Sequence, residues 1–390
     1  MNVQQLAKEQ ENYVIETRRY LHAHPEVGEH EVETTRFIVG ELEKLGVPVE
    51  TFEGITGCVA TIQGGQPGKT VMLRADIDAL PIQEEPGKSY CSLNPGVMHA
   101  CGHDCHTAML LGAARILWAH RQELKGTVKL IFQMAEEIGR KSEEYVKRGA
   151  LDGVDAIFGM HVWAAMDAGT ASFEGGERMA CSDRFTIQIH GTASHGSAPH
   201  LGHDAILAAA TAVMALQSIP SRVNNPLDSL VVTVGMMNGG TKENILCDHV
   251  ELVGTVRAFN REFRKSMPQR IQQVVEQAVG IHGCTAQCDY YFGPSPLIND
   301  NDQLNRLAQG AAEKVMGKGC LRHLTKMMGA EDFSVYMEHI PGVYGYLGCR
   351  NPEKGIDCIH HHPAFDVDES VLWWGTGIYV QFALDFLGEA

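Results

Sequence analysis

Met98–Thr107 reads M-H-A-C-G-H-D-C-H-T and runs straight into the apolar, Ala- and Leu-rich stretch Ala108–Ala119. The ten residues hold three imidazoles (His99, His103, His106), two thiols (Cys101, Cys105) and one carboxylate (Asp104). The apolar run reads as a buried helix. The loop therefore opens a helix, where the macrodipole field favours thiolate over thiol. A thiolate beside imidazoles suits a divalent ion of the zinc type. One glycine separates Cys101 from His103, so both can turn toward one ion. Taken alone, the loop also fits a structural zinc knot closed by Cys101, His103, Cys105 and His106. Its surroundings have to decide.

Upstream, a short strand region at Val59–Gln63 and the apolar strand Thr70–Leu73 lead into R-A-D-I-D-A-L-P, which places Asp76 and Asp78 past a strand end. Downstream, a strand at Thr127–Gln133 ends in M-A-E-E with Glu136 and Glu137, and a strand at Ala156–Met160 ends on His161. Strands alternating with helices, each with polar chemistry at its carboxyl end, describe a layered α/β domain. In such domains ligands bind outside the carboxyl ends of the strands. Helices at 4–22 and 30–46 flank L-H-A-H-P-E-V-G-E, whose His22 and His24 read as packing or surface histidines.

The middle of the chain has another order. Strands at Asp183–Gly191, Ser229–Met236, His249–Phe259 and Ala286–Phe292 interleave with helices at Asp204–Gln217 and Glu262–Val279. This β-α-β-β-α-β succession is the split-βαβ (ferredoxin-like) arrangement. It predicts an inserted domain at 182–292 and a discontinuous catalytic domain at 1–181 and 293–390. The return comprises a helix at Asp302–Met316, M-M-G-A-E-D-F-S, a strand near Val343–Leu347, I-H-H-H-P-A-F-D-V-D-E, and a final helix at Glu369–Leu387.

Composition narrows the function classes. The chain has 390 residues, 44% hydrophobic and 21% charged, with net charge −16. That is a globular composition with ample core, and no Lys/Arg run argues for nucleic acid. No uninterrupted apolar stretch reaches the ~18 residues of a membrane span, and the polar N-terminus carries no signal core. The eleven scattered cysteines read as reduced thiols. The expectation is a cytoplasmic protein that binds neither membrane nor nucleic acid.

Adjacent Glu136 and Glu137 allow a division of labour in which one carboxylate ligates a metal and its neighbour acts as general base. The alternative is a solvated acidic pair. His161 alone could be a satisfied core histidine, whereas three consecutive imidazoles, His360–His362, have no use in a core and point to metal binding.

These segments, with G-T-A-S-H-G-S-A-P-H, G-G-T-K-E-N, G-T-V-R-A-F and M-G-A-E-D-F in the same order, resemble the amidohydrolase branch of the dimetal aminoacylase/carboxypeptidase family. That branch includes hippurate hydrolases and hydrolases of indole-acetic-acid–amino-acid conjugates. The resemblance runs from L-H-A-H-P-E to the C-terminus and decides against the local knot. It implies a layered α/β metallohydrolase domain with an inserted dimerisation or lid domain, and two divalent ions per subunit (zinc, manganese, cobalt or nickel) held by Cys101, His103, Glu137, His161 and His361. His361 is the histidine two before the proline. The same resemblance implies Glu136 as general base on a metal-activated water and His195 as oxyanion stabiliser, donated across a homodimer. Asn244 and Arg257 would contact substrate, and Asp76 and Asp78 would orient ligands. One departure is Cys247, where the family usually carries proline. The implied reaction is hydrolysis of the amide bond of an N-acyl amino acid. Peptide-bond cleavage by a metallo-dipeptidase or carboxypeptidase, and deacetylation of N-acetyl-diaminopimelate, would use the same parts. An inactive metal-dependent binding or scaffold protein would have no use for Glu136.

Overall fold

The computed structural model describes residues 1–388 and divides into two compact units. The first comprises Met1–Gly176, Asn299–Thr325 and Val335–Ala390. Its sheet has seven strands, in spatial order Val49–Glu50, Cys58–Gln63, Lys125–Gln133, Gln66–Asp76, Ala156–Asp167, Gly342–Arg350 and Ala171–Ser172. The four longest central strands run parallel, and the outer strands pair antiparallel. Gly342–Arg350 is buried along nearly its whole length, as expected of a parallel strand covered on both faces. Helix His103–Ala119 is likewise buried on all sides, with Ala108, Leu110, Leu111 and Leu117 wholly inaccessible. It packs against the C-terminal helix Leu372–Gly388 through Met109 and Gly375, where an added Cβ would come 2.0 Å from the Met109 sulfur.

Three local boundaries differ from expectation. The N-terminal helix is two, Val3–Glu9 and Glu11–Ala23, broken at Gln10, which caps the first and starts the second. The helix after the metal-type loop begins at His103, five residues early, so His103 itself stands in the first turn. The strand expected to stop at His161 continues to Asp167 because Gly342–Arg350 pairs alongside it to Trp163 and, after an irregularity, again at Asp167. His161 is therefore a mid-strand residue.

The second unit comprises Glu177–Ile298 with Lys326–Ser334. The expected insertion 182–292 lies inside it. The second segment joins because the Ala180 amide donates to the carbonyls of Met327 and Gly329 at 3.1 and 2.8 Å. Its antiparallel sheet runs Thr285–Tyr291, Asp183–His190, His249–Ala258, Leu230–Gly239, the split-βαβ order, with helices Ala205–Leu216 and Arg261–Gly280 supplying the rest of the core. A buried Arg264–Asp183 pair (2.6 Å), which also receives Tyr290 Oη at 2.7 Å, ties the second helix to the sheet. The helical stretch Ala205–Val223 is 19 residues long with mean hydropathy 1.3, enough by length and composition to cross a bilayer. Thr211, Gln217, Ser218, Pro220, Ser221 and Arg222 interrupt the stretch, so it holds no uninterrupted apolar run of that length. Its Ala205, Ala208, Ala209, Ala212 and Leu216 are buried in this unit's core.

Candidate metal centre

Gly102 makes the loop possible. It sits left-handed at φ 95 as N-cap of the buried helix, and an added Cβ would lie 2.4 Å from Val162 Cγ2. No other residue fits both conditions. On either side, Cys101 and His103 face the strand that carries His161. Possible ligand atoms of Cys101, His103 and His161 lie within 4.8 Å of one another; those of Cys101, Glu137 and His361 form a second such group, and those of His103, Glu136 and Glu137 a third. The structure thus gathers all five expected ligands, from four separate segments, around one locus with Glu136 beside it.

Hydrogen bonds fix the tautomers. His103 Nδ1 lies 3.0 Å from Asp78 Oδ1 and 2.9 Å from the Asp78 carbonyl, and so donates there. That leaves Nε2 buried and without a hydrogen-bond partner, 3.7 Å from Asp76 Oδ2 and 3.9 Å from Glu137 Oε1. Oδ2 of the same aspartate accepts the Glu137 amide at 3.0 Å, so one carboxylate orients two candidate ligands. His161 Nδ1 donates to the Val162 carbonyl at 2.5 Å and turns Nε2 toward the Cys101 sulfur at 3.4 Å. His361 Nε2 meets Glu137 Oε1 at 3.2 Å. Its backbone is left-handed at φ 65, and its amide donates to Ala100 O at 2.8 Å.

Among the three C-terminal imidazoles, only His361 joins a candidate group. His360 spends Nε2 accepting the Ala164 amide at 3.0 Å and packs 4.6 Å from the Trp163 ring. The exposed His362 accepts the Ala364 amide at 3.0 Å through Nδ1. Asp76 bonds His106 Nδ1 at 2.5 Å and Arg74 at 2.6 Å. With His106 Nε2 accepting the Val162 amide, both nitrogens of His106 are used within the fold. Cys105 is wholly buried and belongs to no candidate group among the described residues.

The electrostatics call for cations. Burial, then the Glu137 and Glu136 carboxylates, hold the Cys101 thiol well above its ordinary range. With no cation beside it, burial together with these full charges outweighs the half-charge of the helix terminus. Burial disfavours a charged His103, yet Asp76, Asp78 and Glu137 outweigh it and raise its pKa to about 10. His161 is pushed well below its usual value by burial and by neighbouring His106 and His360. Protons are standing in for positive charge here. An orphaned imidazole nitrogen, a suppressed thiolate and crowded carboxylates are what a pair of divalent ions would satisfy, and the S, N, O donor set suits them. Cys101→Ser is expected to lower metal stoichiometry, because serine's alkoxide is far harder to form. Cys105→Ser should leave it at the wild-type level. Elemental analysis decides, and the reverse ranking would restore the local knot.

In the second unit, His195 is exposed, with Nδ1 2.7 Å from Ser197 Oγ. Its loop bridges to Ile245, and the Gly196 amide donates to the Asn244 carbonyl at 2.8 Å. His195 and Asn244 are thereby brought together. Arg257 is not with them: it lies at the far end of strand His249–Ala258.

Sequence reading missed the polar layer behind the centre. Arg18 and His22, both wholly buried, converge on Asp104 Oδ2 at 2.8 Å each, and His22 also meets Glu84 at 3.0 Å. Their only signal was a charged pair at helical spacing, i and i+4, on an otherwise ordinary amphipathic helix. His24, as expected, is a surface residue.

A model of the peptidase family M20/M25/M40 matches residues 72–385. The chain is 41% identical over 362 residues to the N-acetyl-L-cysteine deacetylase of Bacillus subtilis, covering 93% of this chain and 85% of that one. It is 38% identical over 383 residues to IAA-amino acid hydrolase ILR1-like 4 of Arabidopsis thaliana, covering 97% and 86%. Among solved structures, the Bacillus subtilis YXEP protein, a dinuclear metal binding peptidase from the M20 family, superposes with TM-score 0.86 at 35% identity, covering 98% of this chain and all of that one.

Proposed function

The chain belongs to the M20/M25/M40 peptidase family, a hydrolase family, and from that premise we propose that it hydrolyses the amide bond of N-acyl amino acids, releasing a carboxylic acid and an amino acid. The observation that carries the reading is the convergence of Cys101, His103, Glu137, His161 and His361 beside a second carboxylate, Glu136. Support for the substrate class comes from relatives named for an N-acetyl amino acid and for IAA–amino acid conjugates.

The five residues would hold two divalent ions, which when bound supply Lewis-acid polarisation of the amide carbonyl and a more acidic water. Glu136 takes the proton of the attacking water and returns it to the leaving nitrogen. Asp78 keeps His103 in one tautomer through Nδ1. His195 donates to the oxyanion as it develops, Asn244 beside it engages the substrate in the same site, and Arg257, at the far end of its strand, would engage substrate in the other subunit's site of the proposed dimer. A panel of N-acetyl, N-benzoyl and indole-acetyl amino acids against free dipeptides tests the reading. Faster turnover of dipeptides would make the protein a peptidase instead.

His195 belongs to the second unit, whereas all five ligands belong to the first. In this proposal the protein is a homodimer and His195 serves its partner's centre. Mixing inactive Glu136→Gln with inactive His195→Ala under subunit exchange should restore activity, up to half the wild-type level per site. A mixture that stays dead would place His195 in its own subunit's site.

A further inference from the structure

Strand Lys125–Gln133 hands the chain to Glu136 and Glu137 through a turn that an alanine resists. Ala135 is left-handed, at φ 54 and ψ 43, a conformation in which a Cβ crowds the following carbonyl and glycine is the usual occupant. Its amide donates to Glu31 Oε1 at 2.8 Å, and Thr56 Oγ1 donates to Glu31 Oε2 at 2.6 Å. The neighbouring amides are held as well: Met134 donates to Tyr145 Oη at 3.1 Å and Glu137 to Asp78 Oδ2 at 3.0 Å. Gly28 closes the turn from the other side, since a Cβ there would stand 3.1 Å from the Ala135 Cβ.

Local structure gives Glu31 no reason to be buried. It is the N-cap residue of helix Val32–Leu45, yet its side chain makes no capping bond. Glu26 does that work, accepting the amides of Glu33 and Thr34 at 3.2 and 2.7 Å. The Glu31 side chain is nevertheless wholly inaccessible. Burial, with the Asp78 charge adding to it and the bonds from Thr56 and Ala135 opposing, raises its pKa to about 7. A buried carboxyl is costly unless its bonds accomplish something.

We infer that Glu31 is a positioning residue for the hydrolytic centre: its carboxyl clamps the left-handed turn at Ala135 and so fixes the direction in which Glu136 and Glu137 leave the strand. The inference rests on the reading of those two glutamates as base and ligand.

The experiment uses the full chain and one divalent metal, cobalt. Glu31→Met, similar in length but unable to accept the amide bond, is compared with Glu31→Gln, which can. Each is made in the wild-type and Ala135→Gly backgrounds. Cobalt affinity is read by chelator competition, and kcat and KM are measured on an N-acetyl amino acid. Glu31→Met should weaken cobalt binding and lower kcat by ~10-fold or more, the usual scale for residues that orient ligands, with KM changing far less. Glu31→Gln should recover most of both. In the glycine background the loss should shrink, because glycine holds the turn unaided. Thr56→Val removes the second bond to the carboxyl, along with a 3.5 Å contact to Met134 Sδ, and should give a smaller loss of the same kind, which keeps the test open if Glu31→Met does not fold.

A Glu31→Met protein that melts at a lower temperature yet binds cobalt and turns over like wild type overturns the inference. So do equal losses in the alanine and glycine backgrounds, and so does an unaffected Thr56→Val. Should the wild type hydrolyse no N-acyl amino acid, the functional proposal fails, while the cobalt affinities still judge Glu31.

Discussion

Glu136→Gln should retain metal and substrate affinity while turnover falls by ~10²- to 10⁴-fold, the range for loss of a general base. Glu136 is half-buried and has a carboxylate oxygen within 4.8 Å of ligand atoms of both His103 and Glu137. For Glu137, burial resists ionisation, but the bond to His361 and the charge of His103 hold its pKa below the ordinary value. A ligand must stay ionised, and the surroundings of Glu137 favour that, whereas a base must take up and release a proton. Steady-state kinetics beside elemental analysis gives the result. If Glu136→Gln loses metal while Glu137→Gln keeps it, the two roles are exchanged.

Arg18→Met should destabilise the first unit by ~3–5 kcal/mol, the usual penalty for leaving a buried charge unpaired. The guanidinium is wholly buried and contacts three carboxylates: Asp104 at 2.8 Å, Asp366 at 2.9 Å and Glu369 at 3.2 Å. It thus ties the first turn of the His103 helix to the segment that follows His361. Burial alone would raise the Asp104 pKa, but Arg18 and His22 hold it well below the carboxylate range. A depressed carboxyl contributes stability above its unfolded pKa of ~3.9 and loses it as pH falls toward the folded value. The gap between wild type and Arg18→Met should therefore be widest near neutrality and close as pH drops below ~4. Urea unfolding across that range measures it. Arg18→Lys should recover only part of the loss, since a single ammonium cannot reproduce the planar fork toward several carboxylates. A pH-independent gap would mean that the packing of the arginine stem, not its charge, is what matters.

The sequence by itself determined the order of strands and helices, because hydrophobic period is a local property that each element carries within its own residues. It determined the donor chemistry too. Cys101, His103, Glu136, Glu137, His161 and the His360–His362 run were all legible as candidates at loop starts and strand ends, and the split-βαβ order of the middle segment was legible from element succession alone. What it could not carry was any choice that depends on direction or on distant partners. Which C-terminal imidazole faces Glu137 is decided by the left-handed backbone at His361 and the bond from its amide to Ala100. The upward push on the Cys101 thiol comes first from burial and then from the Glu137 and Glu136 carboxylates, 36 and 35 residues away in sequence. The pairs Arg18–Asp104 and Glu31–Ala135 span 86 and 104 residues. No periodicity links such positions; only the packing of the parallel sheet against its helices brings them within bonding distance, and buried polar groups accept no other arrangement at low cost.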